Sequence, residues 1–361
     1  MRAVVFAEGR AALRDDVELR DPAPGPNDVL VRIGAAGLCH SDVSVVDGTI
    51  KFPPPAVLGH EGAGVVEAVG SAVTQVTVGD HVVLSTLGNC GHCRYCEDGH
   101  PTICRSTMGQ LRRPFLVGGE KAFQFANTGA FSELTVVKES QAIAIDTSIP
   151  LPQASLIGCG VLTGVGAVLN RAKVRPGDAV AVIGVGGIGL NVVQGAALAA
   201  ASTIIAIDAN PAKEQLARDF GATHFVDASA GDAVDAVKEI TKQATGGGVD
   251  AAFECVGVPA LITQATEMLA PGGNAILLGV PKMGTAASFT VSTMYQDKGI
   301  LACRYGTSRP HRDIPVLAEM YLAGRLKLDE LVTRTYPIEH FDAALDDMHS
   351  GALARGVFTF S

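Results

Sequence analysis

Hydrophobic and polar positions follow two different rhythms along this chain. Up to about residue 150, short runs such as VLVRI (29–33), GVVEAV (64–69), HVVLS (81–85) and ELTVV (133–137) mix apolar and polar residues between Gly- and Pro-containing turns. Strands that short, broken so often, predict a small barrel or sandwich. From about Pro152 the texture changes. AVAVIG, TIIAID, HFVDA, VDAAFECVG and NAILLGV read as apolar strands, and KEQLARDFGA and AVDAVKEITKQAT between them carry apolar residues at helical spacing. That alternation predicts βαβ units and a parallel sheet. Beyond Lys298 the texture is mixed again, with a helix expected over 314–324. The closing strand GVFTFS needs a sheet to pair with and is expected to rejoin the first domain. The chain shows no internal repeat.

Composition narrows the function classes. The 361 residues suggest two domains at about 150 residues each. With 47% hydrophobic and 18% charged residues, disorder and fibrous repeats fit poorly. A net charge of −9 with no basic run argues against nucleic-acid or anionic-membrane binding. No Trp and only five Tyr also leave little for stacking bases. The stretch Ala179–Ile207 holds 29 residues without a charge, enough to span a bilayer, but five glycines, Asn191 and Gln194 interrupt it. It reads better as strand, glycine turn and helix, then strand. At the N-terminus only five apolar residues precede Glu8, short of a secretory core, so a cytoplasmic location is expected. The eight cysteines are then expected as thiols or metal ligands and not as disulfides.

After the strand AVAVI, the run Gly184-Val185-Gly186-Gly187-Ile188-Gly189 fits G-x-G-x-x-G. The first glycine permits a tight turn, the second lets backbone approach a pyrophosphate, and the third lets the helix pack on the strand. Asp208 closes the next strand nineteen residues after Gly189, placed to bind the adenosine ribose hydroxyls. A carboxylate there repels a 2′-phosphate, which favours NAD over NADP.

Four cysteines crowd into fifteen residues. Cys90, Cys93, Cys96 and Cys104 can close four thiolates around one ion, a structural zinc site with no open position. An iron–sulfur cluster fits less well, because the last gap is seven residues and Arg105 follows in place of proline. A second group is dispersed: GLCHSD with Cys39, His40, Ser41 and Asp42; GHEG with His60 and Glu61; IGCG with Cys159. Spacing alone does not bring these together. GLCHSD, GHEGAGVVEAVG, the four-cysteine loop, IGCGVLTG and GVGGIG occur in that order, and with the closing GALARGVFTF they cover essentially the whole chain. In these strings the protein resembles the zinc-dependent alcohol dehydrogenases of the medium-chain dehydrogenase/reductase family.

The resemblance implies an α/β protein. A GroES-like, mostly-β catalytic domain would comprise 1–160 and 305–361, with the structural-zinc loop at about 88–106. A Rossmann NAD-binding domain, a doubly wound parallel sheet, would comprise 161–304, with the active site in the cleft between them. It further implies two zinc ions per chain. Cys39, His60 and Cys159 would hold the catalytic one, its fourth position open to an alcohol or aldehyde oxygen. Asp42 would orient His60, and Glu61 would stand behind the metal as a transient ligand. By position alone, Asp42 also reads as a turn or helix-cap carboxylate. The resemblance makes Ser41 the hydroxyl that takes the alcohol proton and places His40 and Arg355 on the cofactor pyrophosphate. Lys213 falls on the adenosine ribose, Thr163 by the nicotinamide, and Ile50, Thr86, Phe125 and Val280 around the substrate. One position departs from the pattern: Ser44 stands where many relatives carry a relay histidine.

The implied activity is NAD-dependent interconversion of medium-chain or aromatic primary alcohols and their aldehydes. Two alternatives lie within the family: a thiol-adduct formaldehyde dehydrogenase, and a relative with permanently bound NAD(H) that uses an external acceptor. A non-catalytic cofactor-binding protein is the alternative from another class, disfavoured by the complete metal-ligand set. The family also implies a homodimer or homotetramer, with strands within about 287–303 pairing across a two-fold axis.

Overall fold

The structure, a computed structural model, describes residues 1–351 and 353–360. Ala352 and Ser361, the latter the last residue of the predicted strand GVFTFS, lie outside the described residues. The chain divides into two compact units, Met1–Gly160 with Arg309–Ser361, and Val161–Ser308. The sequence places the second boundary four residues earlier, at 304/305.

The first unit is built on two antiparallel-rich sheets. The larger has seven strands, ordered Ala142–Ala144, His81–Leu84, Glu61–Val69, Asp28–Gly37, Arg355–Thr359 and Val332–Pro337, with Leu134–Lys138 also paired to Asp28–Gly37. All four of the alternating runs read from the sequence map onto these strands, with Ser85 and Glu133 one residue beyond the strand ends. The C-terminal strand pairs with the 28–37 strand through Val357 opposite Gly37, so it does return to the first unit. Its Phe358 packs edge-on to Phe131, ring centroids 5.0 Å apart, inside a core that also takes in Val31, Ile33, Leu58 and Leu84. The expected C-terminal helix runs Pro310–Leu322.

The second unit is a six-stranded parallel sheet, ordered His224–Asp227, Thr203–Asp208, Ala179–Ile183, Val249–Glu254, Leu269–Leu277 and Gly299–Ala302. This is the doubly wound order, whose direction reverses beside the central 179–183 strand. The uncharged stretch 179–207 resolves into strand, helix Gly187–Leu198 and strand.

One element escapes the sequence reading. A continuous helix, Leu151–Ala172, passes through IGCGVLTG; it is long and apolar enough to cross a membrane, yet 83% of its most apolar window is buried in the protein. Glycine normally weakens a helix by about 1 kcal/mol, so this run carries little helix signal. Close packing reverses that preference: a Cβ on Gly158 would lie 2.1 Å from the carbonyl oxygen of Leu84. The segment Ile157–Val161, which carries Cys159, is π-helical, a local widening common at functional sites.

Candidate active site

Cys39 closes the 28–37 strand's exit and precedes the helix His40–Val46. His60 immediately precedes the neighbouring strand Glu61–Val69, where Glu61 pairs with Gly37. Gly59 takes φ +89°, and a Cβ there would strike the amide nitrogen of Phe131 at 2.3 Å, so the turn that presents His60 requires glycine. Cys159 arrives from the π-helical segment. Ligand atoms of Cys39, His60, Glu61 and Cys159 all lie within 4.8 Å of one another, and all four residues are buried.

The surrounding groups orient this cluster. His60 Nδ1 lies 3.2 Å and 3.1 Å from the two Asp42 oxygens, and Asp42 Oδ1 accepts the Gly59 N–H at 3.0 Å. That fixes Nδ1 as the donor and leaves Nε2 for a metal. Sharing a hydrogen bond with Cys159 holds the Cys39 thiol well below its ordinary range, helped by His60 and Arg355. The same bond and burial push Cys159 up. Burial lowers the affinity of His60 for a proton, but Asp42 and the two thiols outweigh it and raise the imidazole. Burial also raises Glu61 to about 7, against the opposing pull of Arg355. The Glu61 carboxylate makes no hydrogen bond, although Arg355 Nη2 stands 3.2 Å from Oε1. Two thiols, an imidazole and an unsatisfied buried carboxylate form a donor set suited to zinc, and they fit it with a ligand to spare.

Arg355, which the resemblance puts on the cofactor pyrophosphate, lies next to the thiol cluster. Its guanidinium is buried beside Glu61 and donates to Leu38 O at 3.3 Å. Gly160 and Gly37 make room for this pair: a Cβ on Gly160 would sit 2.1 Å from Arg355 Nη2, and one on Gly37 2.4 Å from Glu61 Oε2. The sequence signals neither glycine's role, because their neighbours come from distant strands.

Ser41 Oγ lies 3.9 Å from Cys39 Sγ. His40 is exposed at the start of its helix, and Ser44 is half-buried one turn beyond Ser41. Phe125 stands edge-on to the His60 ring, centroids 5.5 Å apart, and Phe52 packs on Phe125 at 5.2 Å. Thr86 is buried with its hydroxyl unpartnered, and Ile50 is half-buried against the first unit's core. Phe52 carries no signal in the sequence that ties it to the site.

Cys90, Cys93, Cys96 and Cys104 also converge. Their sulfurs are separated by 3.6 Å (Cys93–Cys96), 3.9 Å (Cys93–Cys104) and 3.6 Å (Cys104–Cys90). Disulfides need about 2 Å, whereas four sulfurs at about 2.3 Å from one zinc stand about 3.8 Å apart. The observed spacing is the second kind.

In the second unit, Gly184 has φ +86° and ends the 179–183 strand. A Cβ on Gly189 would lie 1.9 Å from Gly184 O, while a Cβ on Gly186 would point into open space. That open space lies at the start of helix Gly187–Leu198, whose N-cap Gly186 offers no side chain to its amides, as a phosphate cradle requires. Asp208 Oδ2 accepts from Val185 N at 3.0 Å and pairs with Lys213 Nζ at 2.9 Å. Gly187 and Ile188 form the helix's first turn, and Thr163 is buried in helix Leu162–Gly166. Val280, 59% exposed, follows the 269–277 strand of this unit.

The family comparisons agree with this geometry. Residues 25–147 match the alcohol dehydrogenase GroES-like domain, and residues 187–322 match the zinc-binding dehydrogenase domain. The chain is 38% identical to the NDMA-dependent alcohol dehydrogenase of Amycolatopsis methanolica, covering 99% of this chain and 98% of that one. It is 36% identical to the S-(hydroxymethyl)glutathione dehydrogenase of a Synechocystis strain, covering 99% of each. Among solved structures it is similar to benzyl alcohol dehydrogenase from Acinetobacter calcoaceticus, with a TM-score of 0.92 and 33% identity over 100% of this chain and 99% of that one. The chain belongs to the zinc-dependent alcohol dehydrogenases of the medium-chain dehydrogenase/reductase family.

Proposed function

We propose that this protein oxidises medium-chain or aromatic primary alcohols to aldehydes, and catalyses the reverse, with NAD and with zinc held by Cys39, His60 and Cys159. The observation that carries this reading is the buried donor set, with its ligand atoms within 4.8 Å and Asp42 engaging Nδ1 of His60. When bound, zinc supplies Lewis-acid polarisation of the alcohol oxygen and NAD accepts the hydride. The chain's own residues supply the rest. Asp42 keeps His60 in one tautomer, and Glu61 with Arg355 keeps a buried carboxylate and cation behind the thiols. Ser41 Oγ takes the alcohol proton. Ser44 offers no imidazole to carry it onward, so it leaves through water. A second zinc on the four-cysteine loop is structural. Asp208, tied to the glycine turn and to Lys213, holds the ribose hydroxyls and favours NAD.

We rest the substrate class on the positions that the resemblance implies around the substrate. Ile50, Phe125 and Val280 are apolar, Thr86 is small, and none is an Arg or Lys that would hold the carboxylates of a thiol adduct. Rate constants measured with NAD across a primary-alcohol series, benzyl alcohol and S-hydroxymethylglutathione test this. Each methylene buried is worth about 0.8 kcal/mol, so kcat/KM should climb by up to about fourfold per carbon until the pocket fills. Ethanol or the thiol adduct emerging as best substrate overturns the reading. The kinship with an NDMA-dependent enzyme supports a second reading, permanently bound NAD(H); an NADH absorbance band in the purified protein would favour it. We place the enzyme in the cytoplasm, where its eight cysteines, none of them in a disulfide, stay reduced.

A further inference from the structure

The backbone that carries Phe125 is strained. Ala126 (φ 50°) and Asn127 (φ 58°) are successive non-glycine residues in the left-handed region. Such residues persist only where their surroundings over-determine them. Here the surroundings are two buried side chains outside the metal ligands. Gln124 Nε2 shares its hydrogens among Thr128 O (3.0 Å), Thr135 Oγ1 (2.9 Å) and Val136 O (2.9 Å). Thr135 Oγ1 in turn donates to Thr128 O. Thr128 Oγ1 donates to Gly59 O (3.1 Å) and Phe125 O (3.2 Å), closing the turn on itself. From outside, Gln141 Nε2 donates to Asn127 O at 3.2 Å. Gln124 and Thr128 are both fully buried.

We propose that Gln124 and Thr128 are positioning residues for His60, acting through the left-handed turn at 126–127. Gly59, whose carbonyl Thr128 grips, is the peptide neighbour of His60, and its N–H is already held by Asp42. Phe125, which the turn aims, meets the imidazole edge-on at 5.5 Å and 89°. Asp42 anchors one ring nitrogen but leaves the ring free to swing about that anchor. The Phe125 edge and the clamped Gly59 carbonyl remove that freedom and keep Nε2 directed at the two thiols. Phe52, edge-on to Phe125 at 5.2 Å, closes the far side. The inference rests on the reading of Cys39, His60 and Cys159 as zinc ligands.

The test is zinc release to a chromogenic chelator from the full-length, two-zinc protein, with the four-cysteine site as internal control. Losing an outer-shell support typically costs about ten- to a hundredfold in metal affinity. Thr128→Val, which keeps the shape and removes the hydroxyl, should therefore speed release from the His60 site by about that factor and leave the four-cysteine rate unchanged. Thr128→Ser should behave as the unmodified protein. Gln124→Met should resemble Thr128→Val, and adding Ala126→Gly should restore slow release, because glycine takes positive φ without strain. If Gln124→Met fails to fold, Thr128→Val against Thr128→Ser decides alone. Unchanged release in Thr128→Val, or equal acceleration at both sites, overturns the proposal. An unmodified protein with a single metal per chain overturns the zinc-site reading and this inference with it.

Discussion

Asp208 is the side chain on which the proposed preference for NAD rests. Its carboxylate already accepts from Val185 N and Asn210 N at 3.0 Å each and from Lys213 Nζ at 2.9 Å, so it is held in place before any ribose arrives. Charged hydrogen bonds of this kind are worth about 1.5–3 kcal/mol. Asp208→Gly should therefore lower kcat/KM with NAD roughly ten- to a hundredfold. It should also raise kcat/KM with NADP, since Lys213 is released to face a 2′-phosphate. Steady-state kinetics with both cofactors measures this. Equal kcat/KM for NAD and NADP in the unmodified protein would remove the assignment.

At the scale of elements, the two metal groups differ in how they are built. Cys90, Cys93, Cys96 and Cys104 come from one loop that contains the short helix Arg94–Glu97 and the turn Pro101–Ile103. Burial drives Cys96 up to about 12, whereas hydrogen bonds led by Ser106 bring Cys90 down to about 5. Four crowded thiols cannot all ionise without a cation between them, so on the proposed reading a metal would complete the loop. Cys39, His60 and Cys159 come instead from a strand exit, a strand start and a helix, each fixed by its own packing. The expected result of graded chelation is loss of the three-residue site's metal first, together with activity. The four-thiolate metal should follow only with loosening of the loop. Metal analysis during chelation checks the order; loss of both metals together would refute it.

For the whole molecule, the second unit leaves apolar surface uncovered next to an open sheet edge. Met283 (77% exposed) and Tyr295 (85% exposed) lie with Val280, Phe289 and Val291 in the stretch before the edge strand Gly299–Ala302. Among the described residues, that strand is bonded on one side, to Leu269–Leu277. The strands expected within 287–303 reduce to 299–302, and Val291–Met294 is helical. Among the described residues, no strand is formed within 283–290. An open edge beside an apolar stretch favours pairing with a second copy. Light scattering at micromolar concentration should find a homodimer or a dimer of dimers. Val291→Asp with Tyr295→Asp should shift it towards monomer. A monomer in the unmodified protein would contradict this.

The parts of this protein that depend on neighbours in sequence are legible in the order of residues alone. The βαβ rhythm marks the parallel strands and the helix Ala233–Thr245, because strand and helix periods are local properties. The glycine turn and the four-cysteine loop are equally plain, since their ligands and turns sit within a few residues of each other. Cys39, His60 and Cys159 are readable only through family resemblance, because no spacing rule links residues so far apart. The rest requires the tertiary structure. The helix through IGCGVLTG forms because Leu84 and Arg355 press against glycines that would otherwise break it. Glu61 meets Arg355 across 294 positions of chain, and Gln124 and Thr128 hold a strained turn that nothing in QFANT announces. Local sequence determined the elements and the short-range ligand sets; close approach between distant segments decided the buried charges, the strained backbone and the direction in which His60 points.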